Sequence, residues 1–252
     1  MSRYITICNP QTSKLTHFLE DITVHGISFD TTVIYHGRNT VYTTIQQGVH
    51  LNIKAFKRPG FLNSVIYTTF RKSKAHRSYI NALELIRLGF NTPQPIGFGE
   101  EINGLKLGRS YYISKQIEAQ NIRNWEDKPD CDALLKALAG EMARLHKAGV
   151  WHKDFSGGNV LYTFDRENGY TFFYVDLNRM QFGVTSHRKL MSMFRDMNHS
   201  ATETERIARY YAQETHQDPD IIVKEALEAH NECKRSRQRK KWLKSLFKIG
   251  TK

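Results

Sequence analysis

Cysteine is scarce in this chain and unpaired. Cys8, Cys131 and Cys233 are scattered through 252 residues with no CxxC spacing. That argues against a disulfide framework and a cysteine-ligated zinc site, and makes a reducing compartment the expectation. Long apolar runs are missing too. No stretch of 18 apolar residues occurs, so no segment is expected to span a bilayer. The opening MSRYITICNP lacks the apolar core of a signal peptide, which adds to the expectation of a cytoplasmic protein. No internal repeat is found. Acidic side chains are in deficit, 25 against 37 basic, leaving a formal charge of +12. The excess favours a polyanionic partner: nucleic acid, nucleotide phosphates or an anionic membrane face.

What is present suffices for a core. Hydrophobic residues make up 40% and aromatics 12% of a length that fits one large domain or two lobes sharing a cleft. The first half reads as strands. Residues 31–35, 41–45 and 49–56 are β-branched, aromatic or alternating, and short turns separate them. The pattern predicts an antiparallel meander. A helix is expected over 73–88, with Gly89 as its C-terminal cap. A hairpin is expected around Asn103-Gly104, with 111–113 in its second strand. From Cys131 one helical face carries Leu134, Leu138, Met142 and Leu145, and Gly149 ends it. Strands are expected over 159–164 and 170–177, and helices again beyond Asn178. Asp218-Pro219 reads as a helix cap with proline at the first position. The change from sheet-rich to helix-rich sequence suggests domains 1–115 and 116–252.

The stretch HKDFSGGN, residues 152–159, concentrates polar chemistry between a helix and a strand. A loop held by such elements is a good place to fix polar groups in a cleft. Tyr174-Val175-Asp176-Leu177 then sets a second aspartate at the end of an apolar segment. Aspartate and asparagine oxygens suit a hard cation such as Mg²⁺, shared with phosphates. Asp154 is then available to accept a proton from an attacking hydroxyl, with Asn159 as a metal ligand five residues on.

The pattern H-x-D-x-x-x-x-N followed by such an Asp resembles the protein-kinase-like fold. IYHGRNTVY (34–42) resembles its phosphate-covering strand-turn-strand, and NIKAF (52–56) its third strand. The resemblance implies an α+β, two-lobed protein-kinase-like fold, with a small antiparallel-sheet N-lobe and a mainly helical C-lobe. It implies ATP between the lobes, with Gly37, Arg38, Asn39 and Lys54 on the phosphates. Mg²⁺ falls to Asn159 and Asp176, Asp154 is the base, and His152 orients the loop. Ser156 stands where protein kinases usually carry lysine, and Asp-Leu-Asn-Arg replaces Asp-Phe-Gly. GRN (37–39), SKAHRSY (73–79), TPQPIG (92–97), HKDFSGGN and VDLNRM (175–180) are similar to the lipopolysaccharide core kinases. Those bacterial enzymes phosphorylate Kdo or heptose of the inner core at the cytoplasmic face of the inner membrane. The resemblance spans roughly residues 30–180. It implies a lipid-linked sugar acceptor, a lipid A–core precursor. The helix glutamate that protein kinases pair with the third-strand lysine has no counterpart at the expected place. Three options follow: Glu84 reaches Lys54, Asn81 substitutes, or the pair is absent.

Beyond Glu232 the chain carries nine Lys or Arg and no acid, with Trp242, Leu246 and Ile249 at helical spacing and Phe247 alongside. A basic flank with an aromatic-apolar face describes a helix lying on an anionic membrane. A tail frayed or packed on its own lobe is the plainer reading. No nucleic-acid module is recognisable, so no nucleic-acid partner is expected. The alternatives are a kinase for a protein or small-molecule acceptor, or a kinase-like module that binds nucleotide with little turnover.

Overall fold

The computed structural model describes residues 2–60, 66, 71–127, 131–197 and 200–249. Packing divides the chain into two units, Met1–Glu118 with Phe173–Arg179, and Ala119–Phe172 with Met180–Lys252. Packing thus puts residues 116–118 in the first unit, past the expected boundary after 115, and divides the chain differently at a second place. Residues 173–179 follow a long excursion yet belong with the first unit. Hydrogen bonds explain their return: Tyr174 N donates to Asn91 O at 3.1 Å, and Thr92 Oγ1 donates to Tyr174 O at 2.8 Å.

The first unit is built on an antiparallel six-stranded sheet. Its strands are β1 (Ser2–Cys8), β2 (Thr32–His36), β3 (Thr40–Gln46), β4 (Val49–Ala55), β5 (Pro95–Asn103) and β6 (Lys106–Lys115), in the order β1-β5-β6-β4-β3-β2. The meander β2-β3-β4 and the hairpin β5-β6 lie where the alternation and turn residues predict them. Gly104 takes φ 60° at the hairpin tip, a conformation that favours glycine.

Two helices follow from the sheet's two faces. Leu51 and Ile53 of β4 join Leu15, Leu19 and Ile22, the latter two on α1 (Thr16–His25). Phe56 joins Ala75 and Tyr79 of α2 (Lys74–Arg87) together with Phe98. Strand alternation therefore turns Lys54 to the α2 side, where its Nζ lies 5.5 Å from the Phe56 ring. Ser73 starts α2, its Oγ accepting from His76 N at 3.1 Å, and Gly89 follows its end at φ 81°.

Strand β1 and helix α1 were not expected from the sequence. β1 pairs along its whole length with β5, from Ser2 opposite Asn103 to Cys8 opposite Gly97. The alternation in Ile5-Thr6-Ile7 was the available signal. What stabilises the pair is backbone hydrogen bonding to an edge that local sequence does not reveal.

The second unit holds β7 (Gln120–Asn121), β8 (Val160–Asp165) and the first four residues of β9 (Gly169–Tyr174), which form a three-stranded sheet, plus helices α3 (Cys131–Lys147), α4 (His187–Met191), α5 (Ala201–Thr215) and α6 (Pro219–Ile249). The expected face of α3 is buried: Leu134, Leu138, Met142 and Leu145. Ser200 and Glu203 form a reciprocal capping box at the start of α5. Asp218 Oδ1 accepts from Asp220 N at 2.9 Å at the start of α6. β9 ends at Tyr174, short of the expected 177. Asp176 has φ 59°, which no strand accommodates, and Leu177–Arg179 make a single 3₁₀ turn. The side chains of Leu246, Phe247 and Ile249, expected to form the apolar face of the tail, lie outside the described residues.

Candidate active site

In the first unit the chain brings together two groups 122 positions apart: Lys54 Nζ donates to Asp176 Oδ1 at 2.7 Å. Asn178 Nδ2 donates to the same oxygen at 2.6 Å. The side chains of Lys54 and Asp176 are 17% and 30% exposed, so the pair is half withdrawn from water yet still reachable. A left-handed φ at a non-glycine residue costs on the order of 1–3 kcal/mol and persists only where surroundings over-determine it. Here the surroundings are Lys54 and Asn178 on the carboxylate, and Asn81 Nδ2 donating to Leu177 O at 2.7 Å.

The helix glutamate question has a direct answer. Glu84 is held by Arg87 through two bonds of 2.8 and 2.7 Å, one turn along the exposed face of α2. Asn81 serves the backbone beside Asp176. The carboxylate on Lys54 is Asp176 itself.

Gly37, Arg38 and Asn39 form the turn between β2 and β3, closed by Gly37 N donating to Asn39 O at 3.1 Å. Asn39 Oδ1 accepts from Lys57 N at 3.3 Å. Lys74 is not among the residues that the sequence assigned to the site. Burial lowers the Lys74 pKa first of all; Arg38 and Arg77 press it further, Asp176 opposes, and Lys54 adds a smaller push. Lys74 therefore stands in the field of both members of the central pair. Beneath it, Ser73 Oγ–H donates to buried Glu100 at 2.5 Å, and burial raises the Glu100 pKa against that bond.

The HKDFSGGN loop lies in the second unit, and its own bonds set its shape. Trp151 exchanges two backbone bonds of 2.9 Å with Gln181. His152 is buried, edge-on to Phe155 at 6.1 Å between ring centres, and Phe155 N donates to His152 O at 3.2 Å. Asn159 N donates to Ser156 O at 2.8 Å, and Asn159 Nδ2 to Asp154 O at 2.8 Å. The amide N–H of Asn159 is thus committed to the loop, and Oδ1 is its acceptor oxygen. Arg195 Nη2 braces the carbonyl of Lys153 at 2.9 Å.

The donors that the sequence assigns to a cation are hard oxygens, of Asn159 in the second unit and of Asp176 in the first. Among the described residues no cluster of three or more His, Cys, Asp or Glu occurs. That set fits Mg²⁺, which keeps several waters and takes further oxygens from phosphates. It does not fit a closed zinc site, which needs four protein ligands.

The six-stranded sheet, the helix α2 beside Lys54, and the loop-strand-Asp order define an α+β fold of the two-lobed protein-kinase-like class. A solved structure of WaaP in complex with acyl carrier protein has this fold; it covers 94% of this chain and 98% of that one, at 15% identity and a TM-score of 0.59. The Rio2 kinase from Chaetomium thermophilum matches over 88% of this chain and 78% of that one, at 16% identity and a TM-score of 0.50. Residues 34–218 match the model of the lipopolysaccharide kinase (Kdo/WaaP) family, and the chain belongs to that family. Its relatives include the 3-deoxy-D-manno-octulosonic acid kinases of Vibrio cholerae and Vibrio parahaemolyticus. They are 22% and 21% identical over 131 residues, half of this chain and 56% and 55% of the relatives. The chain thus matches little more than half the length of these curated relatives.

Proposed function

We propose that the chain transfers the γ-phosphoryl group of ATP to a sugar hydroxyl, on Kdo or heptose, of the lipopolysaccharide inner core. The observation that carries this reading is the 2.7 Å contact of Lys54 with Asp176 in a chain of the lipopolysaccharide kinase family. Lys54 meets the α/β-phosphates as a fixed positive charge. Arg38 and the backbone N–H groups of Gly37–Asn39 approach the same phosphates, and Lys74 adds a second ammonium. Asp154 accepts the proton of the sugar hydroxyl as its oxygen attacks in line. Buried His152 holds the loop backbone that carries Asp154. Asn159 and Asp176 would offer their oxygens to Mg²⁺, which would supply charge neutralisation on the phosphates. Fixed charge aimed where charge develops is the main source of catalysis in such transfers. The names of the Vibrio relatives support Kdo as the acceptor.

The acceptor is lipid-linked in this reading, and the protein works at the cytoplasmic face of the inner membrane. Among the described residues no helix is long and apolar enough to cross a membrane. The basic end of α6 provides the attachment, as a helix lying on anionic lipid. A second reading, nucleotide binding without turnover, is favoured by one observation: Glu84 is bound to Arg87 and leaves Lys54 without a helix partner.

The test is incubation with ATP and three acceptors: a Kdo-bearing lipid A precursor, a generic protein and an aminoglycoside. Mass spectrometry should find one added phosphate on the precursor alone. Asp154→Ala should lower that transfer by about 10²-fold or more, as for a positioned base, while calorimetry still detects ATP binding. Phosphate on another acceptor moves the acceptor class. ATP bound but never consumed supports the second reading, and wild-type turnover by Asp154→Ala removes the base.

A further inference from the structure

The loop carries two adjacent glycines, Gly157 and Gly158, and neither has the positive φ that usually calls for glycine. Their purpose is space. A Cβ on Gly157 would lie 2.9 Å from Arg123 Cα, and a Cβ on Gly158 would lie 2.6 Å from Arg123 Nη2. The first glycine admits the backbone of the 3₁₀ turn Ile122–Asp127, and the second admits the guanidinium. The turn is firmly seated. Ile122 and Trp125 are buried on either side, Arg123 N donates to Asn121 Oδ1 at 3.0 Å, and Asn121 pairs with Leu161 through β7 and β8. Arg123 itself is exposed. Among the described residues no carboxylate lies within ion-pair distance of its guanidinium, and no carbonyl of the loop accepts from it.

We propose that Arg123 is the acceptor's anion-binding residue, receiving the carboxylate of a sugar acid beside the loop that carries Asp154. This rests on the phosphotransfer reading above and narrows its acceptor to an acidic sugar. A guanidinium presents two parallel N–H groups that match the two oxygens of a carboxylate, and that geometry orients as well as attracts. Gly158 adjoins Asn159, which is bonded to the carbonyl of Asp154. A carboxylate docked on Arg123 therefore tethers the acceptor to the same rigid loop as the base. A bracing arginine would instead bond the loop's own carbonyls, as Arg195 bonds that of Lys153.

The experiment uses the full chain, saturating ATP and a Kdo-bearing lipid A precursor. Arg123→Ala should raise the KM for the acceptor by roughly 10- to 100-fold, the worth of a charged hydrogen bond. The KM for ATP should not move, and Arg123→Lys should recover part of the loss. Gly158→Ala should give a loss of the same kind, because the new Cβ displaces only the flexible end of Arg123. A precursor whose carboxylate is reduced to the alcohol should be as poor with wild type as the native precursor is with Arg123→Ala. An unchanged acceptor KM, or a parallel rise in the KM for ATP, overturns the proposal. So does a loss seen equally with the reduced precursor, which would make an acceptor phosphate the ligand. If wild type phosphorylates nothing, the phosphotransfer reading fails separately. NMR titration with free Kdo then still decides the site. An Arg123 Nε–H signal that shifts with Kdo and is missing in Arg123→Ala upholds anion binding, and no shift overturns it.

Discussion

Lys54 Nζ and Asp176 Oδ1 meet inside a small set of bonds that also includes Asn178 and Asn81. Lysine on the third strand of the meander and aspartate after the last hairpin were both legible, because residue type and spacing carry them. Their direct contact was not. Sequence reasoning left three options for the lysine, Glu84, Asn81 or no helix partner, and rotational position along α2 decided for the third by giving Glu84 to Arg87 and Asn81 to the Leu177 carbonyl. His146 shows the same limit with a measurable consequence. By sequence it reads as a packing or cap residue, and it is buried with Nδ1 2.9 Å from the Tyr211 hydroxyl. Burial lowers its pKa to about 4, with His187 adding to the effect. An unfolded histidine titrates near 6.5, so between the two values the unfolded chain binds more protons. Stability contributed by neutral His146 is therefore complete above about pH 6.5 and falls as the pH drops toward 4, by on the order of 3 kcal/mol. Denaturant midpoints at pH 7.5 and 4.5 should show a smaller acid loss in His146→Gln than in wild type. An equal loss in both would assign the acid sensitivity to other groups.

At the scale of elements, α2 and α3 were legible because a cap, a stop and a 3.6-residue stripe all agree. Strand β1 and helix α1 were not, and both precede residue 34, where the family match begins. Their seating depends on two glycines of β5. A Cβ on Gly97 would collide with the carbonyl of Ile7 and the side chain of Leu19, and one on Gly99 with the side chain of Thr23. Arg109 adds a polar clasp, bonding Glu101 at 2.9 Å and the carbonyl of Val24 at 2.9 Å. Gly97→Ala should therefore destabilise the protein by about 1–3 kcal/mol, the usual cost of overpacking. Gly60→Ala, whose new Cβ meets no atom of the described residues within 4 Å, should be nearly neutral. Equal denaturation midpoints for the two variants would contradict the close seating of β1 and α1.

At the scale of the whole molecule, charge is the distinguishing property. The nine basic residues beyond Glu232 account for most of the +12. Eight of them fall within α6, whose early part buries Ile222, Val223, Ala226 and His230, and whose Trp242 is 60% exposed. Each basic side chain near an anionic surface contributes about 1 kcal/mol. Truncation after Cys233 should lower sedimentation with phosphatidylglycerol vesicles at least tenfold, and raised salt should weaken the full chain alike. Undiminished binding by the truncated chain would assign the contact to another surface.

By itself the sequence determined the order of the main elements from β2 onward, the turns between them and the residue types of the loop at 152–159. Each of these depends on interactions over a few positions: alternation, helical periodicity, caps and turn glycines. Only the tertiary structure decided that Asp176 is the partner of Lys54, that β1 closes the edge of the sheet, and that Gly157 and Gly158 make room for Arg123. Those outcomes depend on side chains far apart in the chain competing for the same space and the same charge, and no short-range pattern encodes which one wins.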